Sequence, residues 1–169
     1  IDSLTSLTSG ALRVKGVTSG PDGDCTTEGT QTCCPTPDGG SCCIDDSSTA
    51  TTGTGSCTFP CKNDGGTETQ TFEYDSNSVS FTMTLDSCEL SGCGEPTTCT
   101  GAAEGNITFS DDGSVSGSIS TGACGDGGLS CTDSTGVVHD IDFTATFGRT
   151  TSSEEDNMTG EVCIDGEPT

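Results

Sequence analysis

An antiparallel, disulfide-rich β-sandwich of about seven strands, with an irregular Cys-rich loop region and no significant helix, is the fold this 169-residue chain predicts. Three observations predict it. Thirteen residues are cysteine, whereas Leu, Ile, Val and Phe together number only 25, about 15% of the chain. With a formal net charge of -23, that composition alone would leave a chain disordered. Cross-links change the balance by restricting the unfolded state, each worth roughly 2–4 kcal/mol. Finally, beyond residue 69 the apolar side chains recur every second residue, and no window shows a 3.6-residue period.

Residues 1–10 carry no helix or strand period and read as a flexible arm. Residues 11–169 read as one sandwich domain. Its first strand is 11–17, with Leu12 and Val14 on one face and Arg13, Lys15 and Val17 on the other. Residues 18–69 hold seven cysteines, four of the six prolines and long Gly/Ser/Thr stretches, and are expected to form a disulfide-stapled insertion without regular structure. Phe72 and Tyr74 then share a strand face. Past the Asp75–Ser78 turn, Val79, Phe81, Met83 and Leu85 form an apolar row. Asn106–Ser110 and Ser114–Ser120 predict a hairpin around Asp111-Asp112-Gly113. Val137, Ile141, Phe143, Ala145 and Phe147 make the longest row, and Met158, Val162 and Ile164 the last. Seven one-faced strands imply two sheets packed face to face.

The cysteines stand at Cys25, Cys33, Cys34, Cys42, Cys43, Cys57, Cys61, Cys88, Cys93, Cys99, Cys124, Cys131 and Cys163, and all are disulfide candidates. No two form the C-x-x-C of zinc ribbons, iron–sulfur clusters or thioredoxin-like sites. Disulfide geometry keeps the adjacent pairs Cys33-Cys34 and Cys42-Cys43 from closing on themselves, so each member reaches a different partner. Counted along their rows, Cys88 falls on the polar face and Cys163 opposite Met158, Val162 and Ile164. Both then point away from the core, and the 18–69 region is expected to be bonded outside a sheet through them as a covalent cap. The odd count leaves one cysteine without a partner in its own chain. A metal–thiolate cluster between Cys25 and Cys61 is the rival reading, weakened by a single histidine and by Lys62 as the only nearby cation.

Disulfides at this density belong to an oxidising compartment, so a secreted or cell-surface protein is expected. The first residues lack an apolar signal region and read as a mature chain whose targeting signal was removed or not included. No stretch is long enough to span a membrane. Asn106-Ile-Thr and Asn157-Met-Thr match glycosylation sequons, which arise readily by chance in a Thr-rich chain. Four basic residues against 27 carboxylates repel nucleic acid and anionic membranes. Acidic, Gly-rich loops at Asp22, Asp24, Asp45 and Asp46 are candidate calcium ligands, although none completes a twelve-residue EF-hand loop: counting from Asp22, Cys33 stands where the bidentate glutamate belongs.

Catalysis has little support. His139 is the only histidine and lies among abundant serines and aspartates, which places some near it by chance. No tryptophan and one tyrosine leave little to grip a sugar, and no Gly-rich phosphate loop precedes a helix. The leading expectation is therefore a non-catalytic extracellular structural protein without a cofactor: a subunit of a surface fibre or pilus-like filament. Such a homopolymer would grow by strand addition, with Ile1, Leu4, Leu7, Leu12 and Val14 filling a groove in the next subunit. Leu4 and Leu7 fit imperfectly, since a strand puts them on opposite faces. A monomeric secreted module binding calcium or carbohydrate is the alternative.

Overall fold

The structure, a computed structural model, describes residues 25–61, 65–90, 97–149 and 157–169. The expected strand 11–17 and the arm before it lie outside them. Twelve strands follow in chain order: β1 (Thr26–Glu28), β2 (Gln31–Pro35), β3 (Ser41–Asp45), β4 (Gly53–Pro60), β5 (Thr67–Tyr74), β6 (Ser78–Leu90), β7 (Thr97–Phe109), β8 (Val115–Ser120), β9 (Leu129–Thr132), β10 (Val138–Arg149), β11 (Asn157–Ile164) and β12 (Glu167–Pro168). Every pairing is antiparallel, and among the described residues there is no helix.

The strands join one sheet almost in sequence order, β1 through β8, then β10, β11 and β12. Local turn chemistry explains that meander. Asp75 accepts hydrogen bonds from the Asn77 and Ser78 amides to close β5 onto β6, and Asp112 accepts from the Ser114 amide beside Gly113 at φ 83°. Asp165 (φ 54°) and Gly166 (φ 80°) form the two-residue turn between β11 and β12, where both central residues need positive φ.

One departure from the meander shapes the C-terminal half. β8 and β9 occupy the same slot between β7 and β10: Glu104–Phe109 and Thr144–Arg149 flank β8, while Thr98–Gly101 and Val138–Ile141 flank β9. The slot strand is thus interrupted, and residues 121–128 leave the sheet as a loop.

Apolar side chains gather on one face. Val79, Met83, Leu85, Ala103, Ile107, Ile119, Leu129 and Ala145 are buried there, alternating with exposed Thr, Ser and Glu. Glycines let aromatic rings lie flat on it. Gly55 faces Phe72, Gly105 faces Phe81 and Gly117 faces Phe147, and a side chain on any of them would collide with that ring. At Gly105 an added Cβ would stand 2.7 Å from the Ser118 carbonyl and 2.9 Å from Phe81 Cε1. Each ring covers backbone that its glycine partner leaves bare.

The predicted class is the observed one, but the strand count is not. The described residues form twelve strands hydrogen-bonded into one sheet, where about seven divided between two sheets were expected. The excess comes largely from the Cys-rich region: residues 26–60 are four strands rather than irregular loop. Its cysteines and glycines occupy the positions that Val or Ile would fill elsewhere, so the alternation is present in another alphabet. Cys88 is the second correction. The β6–β7 register shifts between Leu85 and Cys88, with Ser87 at φ 58° and its amide caught by the Thr100 hydroxyl. That bulge reverses the alternation and turns Cys88 onto the apolar face, where it is buried. The cap is the third. Cys88 does bond the 18–69 region, through Cys61, but on the apolar face; Cys163 does point to the opposite face but bonds Cys124, and the described part of the 18–69 region is itself in the sheet.

Candidate functional site

Six disulfides use twelve of the thirteen cysteines. Cys33–Cys43, Cys42–Cys57 and Cys99–Cys131 each join residues facing one another on neighbouring strands, and Cys25–Cys34 sits one step beyond the Thr26–Cys33 pair. Adjacent cysteines do reach different partners, because consecutive side chains on a strand point to opposite faces. Cys34 bonds toward β1 and Cys33 toward β3, while Cys43 bonds back to β2 and Cys42 on to β4. Cys61–Cys88 passes over β5 to reach β6. Cys93, the thirteenth, lies outside the described residues.

Several of the described acidic side chains are committed to the chain itself. Asp45 accepts hydrogen bonds from Gln31 Nε2 at 2.9 Å and from the Thr54 hydroxyl, and the Thr54 bond, then the Gln31 bond, hold its carboxyl below the usual aspartate range. Asp46 accepts from Thr32 Oγ1 at 3.0 Å. Asp22 and Asp24, the other calcium candidates, lie outside the described residues, among which no group of three or more His, Cys, Asp or Glu is arranged to hold a metal. On the polar face Asp45, Glu73 and Glu104 line a shallow trough of about 790 Å³ with Thr71, Thr82 and Asn106. It offers hydroxyls and carboxylates to a ligand and repels anions.

Asp142 is buried, 1% exposed, yet ionised with full hydrogen bonding. Gly128 N–H donates to its Oδ1 at 2.7 Å, and Gly125 and Gly127 N–H to its Oδ2 at 2.8 and 3.3 Å. These donors, Gly128 first, lower its pKa against the opposing effect of burial. Asp142 therefore anchors the 121–128 loop from the gap between β8 and β9, and Cys124–Cys163 ties the same loop to β11.

His139 has a carboxylate at each ring nitrogen. Nδ1 lies 2.9 Å from Asp165 and Nε2 3.8 Å from Asp133. The Asp165 hydrogen bond raises the His139 pKa above its ordinary value, and the same bond lowers that of Asp165. Asp165 also accepts from the Asp140 amide at 2.9 Å. The chemistry is a histidine–carboxylate clasp, strengthened when the ring is protonated, that holds the β11–β12 turn against β10.

Beside that turn the sheet stops. β12 pairs only with Cys163 and Ile164, so among the described residues no strand pairs with the outer side of Asn157–Glu161. Thr169 donates its amide from that side to the Val162 carbonyl at 2.9 Å. By the two-residue repeat, the amides and carbonyls of Met158 and Gly160 face outward as well. Five large apolar side chains are exposed among the described residues, and three belong to β11: Met158 at 45%, Val162 at 43% and Ile164 at 39%. The other two are Val138, which opens β10, and Val137 just before it. An open strand edge with an apolar face is a template for another strand. The sequence reading identified these three residues as a row but had no means of placing them at an edge. No known protein family, curated protein or solved structure matches this chain.

Proposed function

We propose that this chain is a non-catalytic structural subunit of the cell exterior, secreted or surface-bound, that self-associates into a polymeric, pilus-like filament by strand addition. The observation that supports this reading is the β11 edge: in a sheet stapled by six disulfides, no strand among the described residues pairs with the outer side of Asn157–Glu161, and apolar side chains lie beside it. Three further features agree with it. The disulfides suit an oxidising exterior. The Ser/Thr-rich polar face suits repetitive packing in water. Residues 1–17, with Ile1, Leu4, Leu7, Leu12 and Val14, supply an apolar donor segment.

Sedimentation velocity across a concentration series, with electron microscopy of the concentrated sample, tests the reading. Concentration-dependent linear polymers of the oxidised chain are the expected result. A monomer at every concentration, including under the lowest-salt conditions, refutes it. A non-reducing gel run in parallel reports whether Cys93 adds covalent links between subunits.

A further inference from the structure

We infer that β11 is the acceptor of the assembling strand and that residues 11–17 of a second copy are its occupant. This rests on the polymer reading above and names the surfaces that would meet. Three properties of the edge match three of the segment. The first is the backbone: the outward amides and carbonyls of Met158 and Gly160 have no strand partner among the described residues, and an added strand would satisfy them.

The second is shape on the apolar face. Gly55, Gly105 and Gly117 are each paired with a phenylalanine whose ring covers the bare backbone, whereas Gly160 is paired with Ala145. Met158, paired with Phe147, and Val162, paired with Phe143, rise on either side of it. The result is a notch one residue wide between two exposed apolar side chains. Leu12 and Val14, two residues apart on one strand face, would set one side chain opposite Gly160 and the other beside Met158 or Val162.

The third is charge. Residues 1–20 carry Asp2, Arg13 and Lys15, a net +1, and half of the four basic residues in the chain. With Leu12 and Val14 turned to the apolar face, Arg13 and Lys15 share the other face with Thr159 and Glu161, and Glu154-Glu155-Asp156 lie next to β11 in sequence. A basic segment in an acidic chain is thus directed to an acidic edge.

The strand order points to a second copy as the donor: β1, which follows the donor segment in sequence, stands nine strand positions from β11. A donor leaving one end of the sheet and an acceptor at the other also define a head-to-tail contact that does not close on itself, which generates a filament.

Amide hydrogen exchange on the full oxidised chain, dilute and assembled, tests the assignment. The Met158 and Gly160 amides should exchange at least tenfold more slowly in the assembled sample, and Met158→Lys/Val162→Lys should abolish assembly while leaving the exchange of β5–β7 amides unchanged. Arg13→Glu/Lys15→Glu should weaken it at low salt. Polymers in which Met158 and Gly160 exchange as freely as in dilute solution, or polymers formed by the double lysine variant, overturn the acceptor assignment and leave the filament reading standing. Protection of those amides that is independent of concentration means a strand added within one chain and overturns the second-copy assignment. No polymer from the unsubstituted chain removes both.

Discussion

Replacing Cys99 and Cys131 together by alanine isolates what one cross-link contributes to this sheet. The pair bridges β7 and β9 with a Cα–Cα distance of 4.1 Å, and both residues are buried, at 2% and 0% exposed. The bridge closes 32 residues of chain. Chain-entropy theory assigns such a closure a denatured-state entropy of about 12.4 cal/mol/K, or ~3.7 kcal/mol at 25 °C. Removing two buried sulfur atoms, each comparable to a methylene at about 0.8 kcal/mol, brings the cost to roughly 5 kcal/mol. For a chain of this length ~1 kcal/mol moves Tm by about 2–4 °C, so the double variant should melt roughly 10–20 °C lower. The comparison variant is Cys25→Ala/Cys34→Ala, whose bridge closes only 9 residues at the exposed β1 end and is worth about 2.6 kcal/mol by the same relation. Thermal unfolding of the oxidised proteins by circular dichroism measures both. A Cys99→Ala/Cys131→Ala melt within about 2 °C of the unsubstituted chain, or a larger loss from the Cys25–Cys34 pair, would refute the reasoning that long closures in the sheet centre dominate stability.

Three further outcomes are expected. Because Asp142 titrates below its unfolded value, its contribution is present above about pH 3.8 and lost as pH falls through its folded pKa; Asp142→Asn should lower the urea midpoint at pH 6 and flatten its decline toward pH 2.5, and an unchanged midpoint at pH 6 would contradict the anchor role. His139 has the opposite sign. Its raised pKa gives a contribution that is complete below about pH 6.5 and lost as pH rises through the folded value, so its single imidazole resonance should titrate above 6.5 and move down in Asp165→Asn. Gly105→Ala forces a Cβ against Phe81 and the Ser118 carbonyl and should cost about 1–3 kcal/mol in urea unfolding, whereas a neutral result would mean the β6–β8 region yields more than its packing implies.

Several parts of this architecture are legible in the sequence. The rows Val79–Leu85 and Ile141–Phe147 identified β6 and β10 because large apolar residues alternate without a gap. Asp112-Gly113 identified the β7–β8 turn through the positive φ that glycine accepts. Other elements escaped because their inward positions hold small residues or cysteine. In β7, Cys99, Gly101, Ala103 and Gly105 continue the alternation of Ile107 and Phe109 back to the strand start, and in β4 Gly55, Cys57 and Phe59 do the same. Counting Gly, Ala and Cys as inward residues recovers both. The Asp165-Gly166 turn rests on the same chemistry as Asp112-Gly113, an aspartate followed by a glycine that accepts positive φ.

By itself, the sequence determined the class: too few apolar residues for a large core, enough cysteine to replace it, and a two-residue period that only strands satisfy. It also determined that neighbouring cysteines serve different partners, since adjacent side chains on a strand diverge. Only the tertiary structure decided which strands are neighbours. A period of two assigns a face and says nothing about the strand alongside, and one inserted residue reverses every face beyond it, as the bulge before Cys88 does. The shared slot of β8 and β9, the Asp142 carboxylate buried under the loop between them, and the open side of β11 all depend on contacts between residues far apart in the chain. No local pattern encodes them, because each arises from the order in which the whole sheet is assembled.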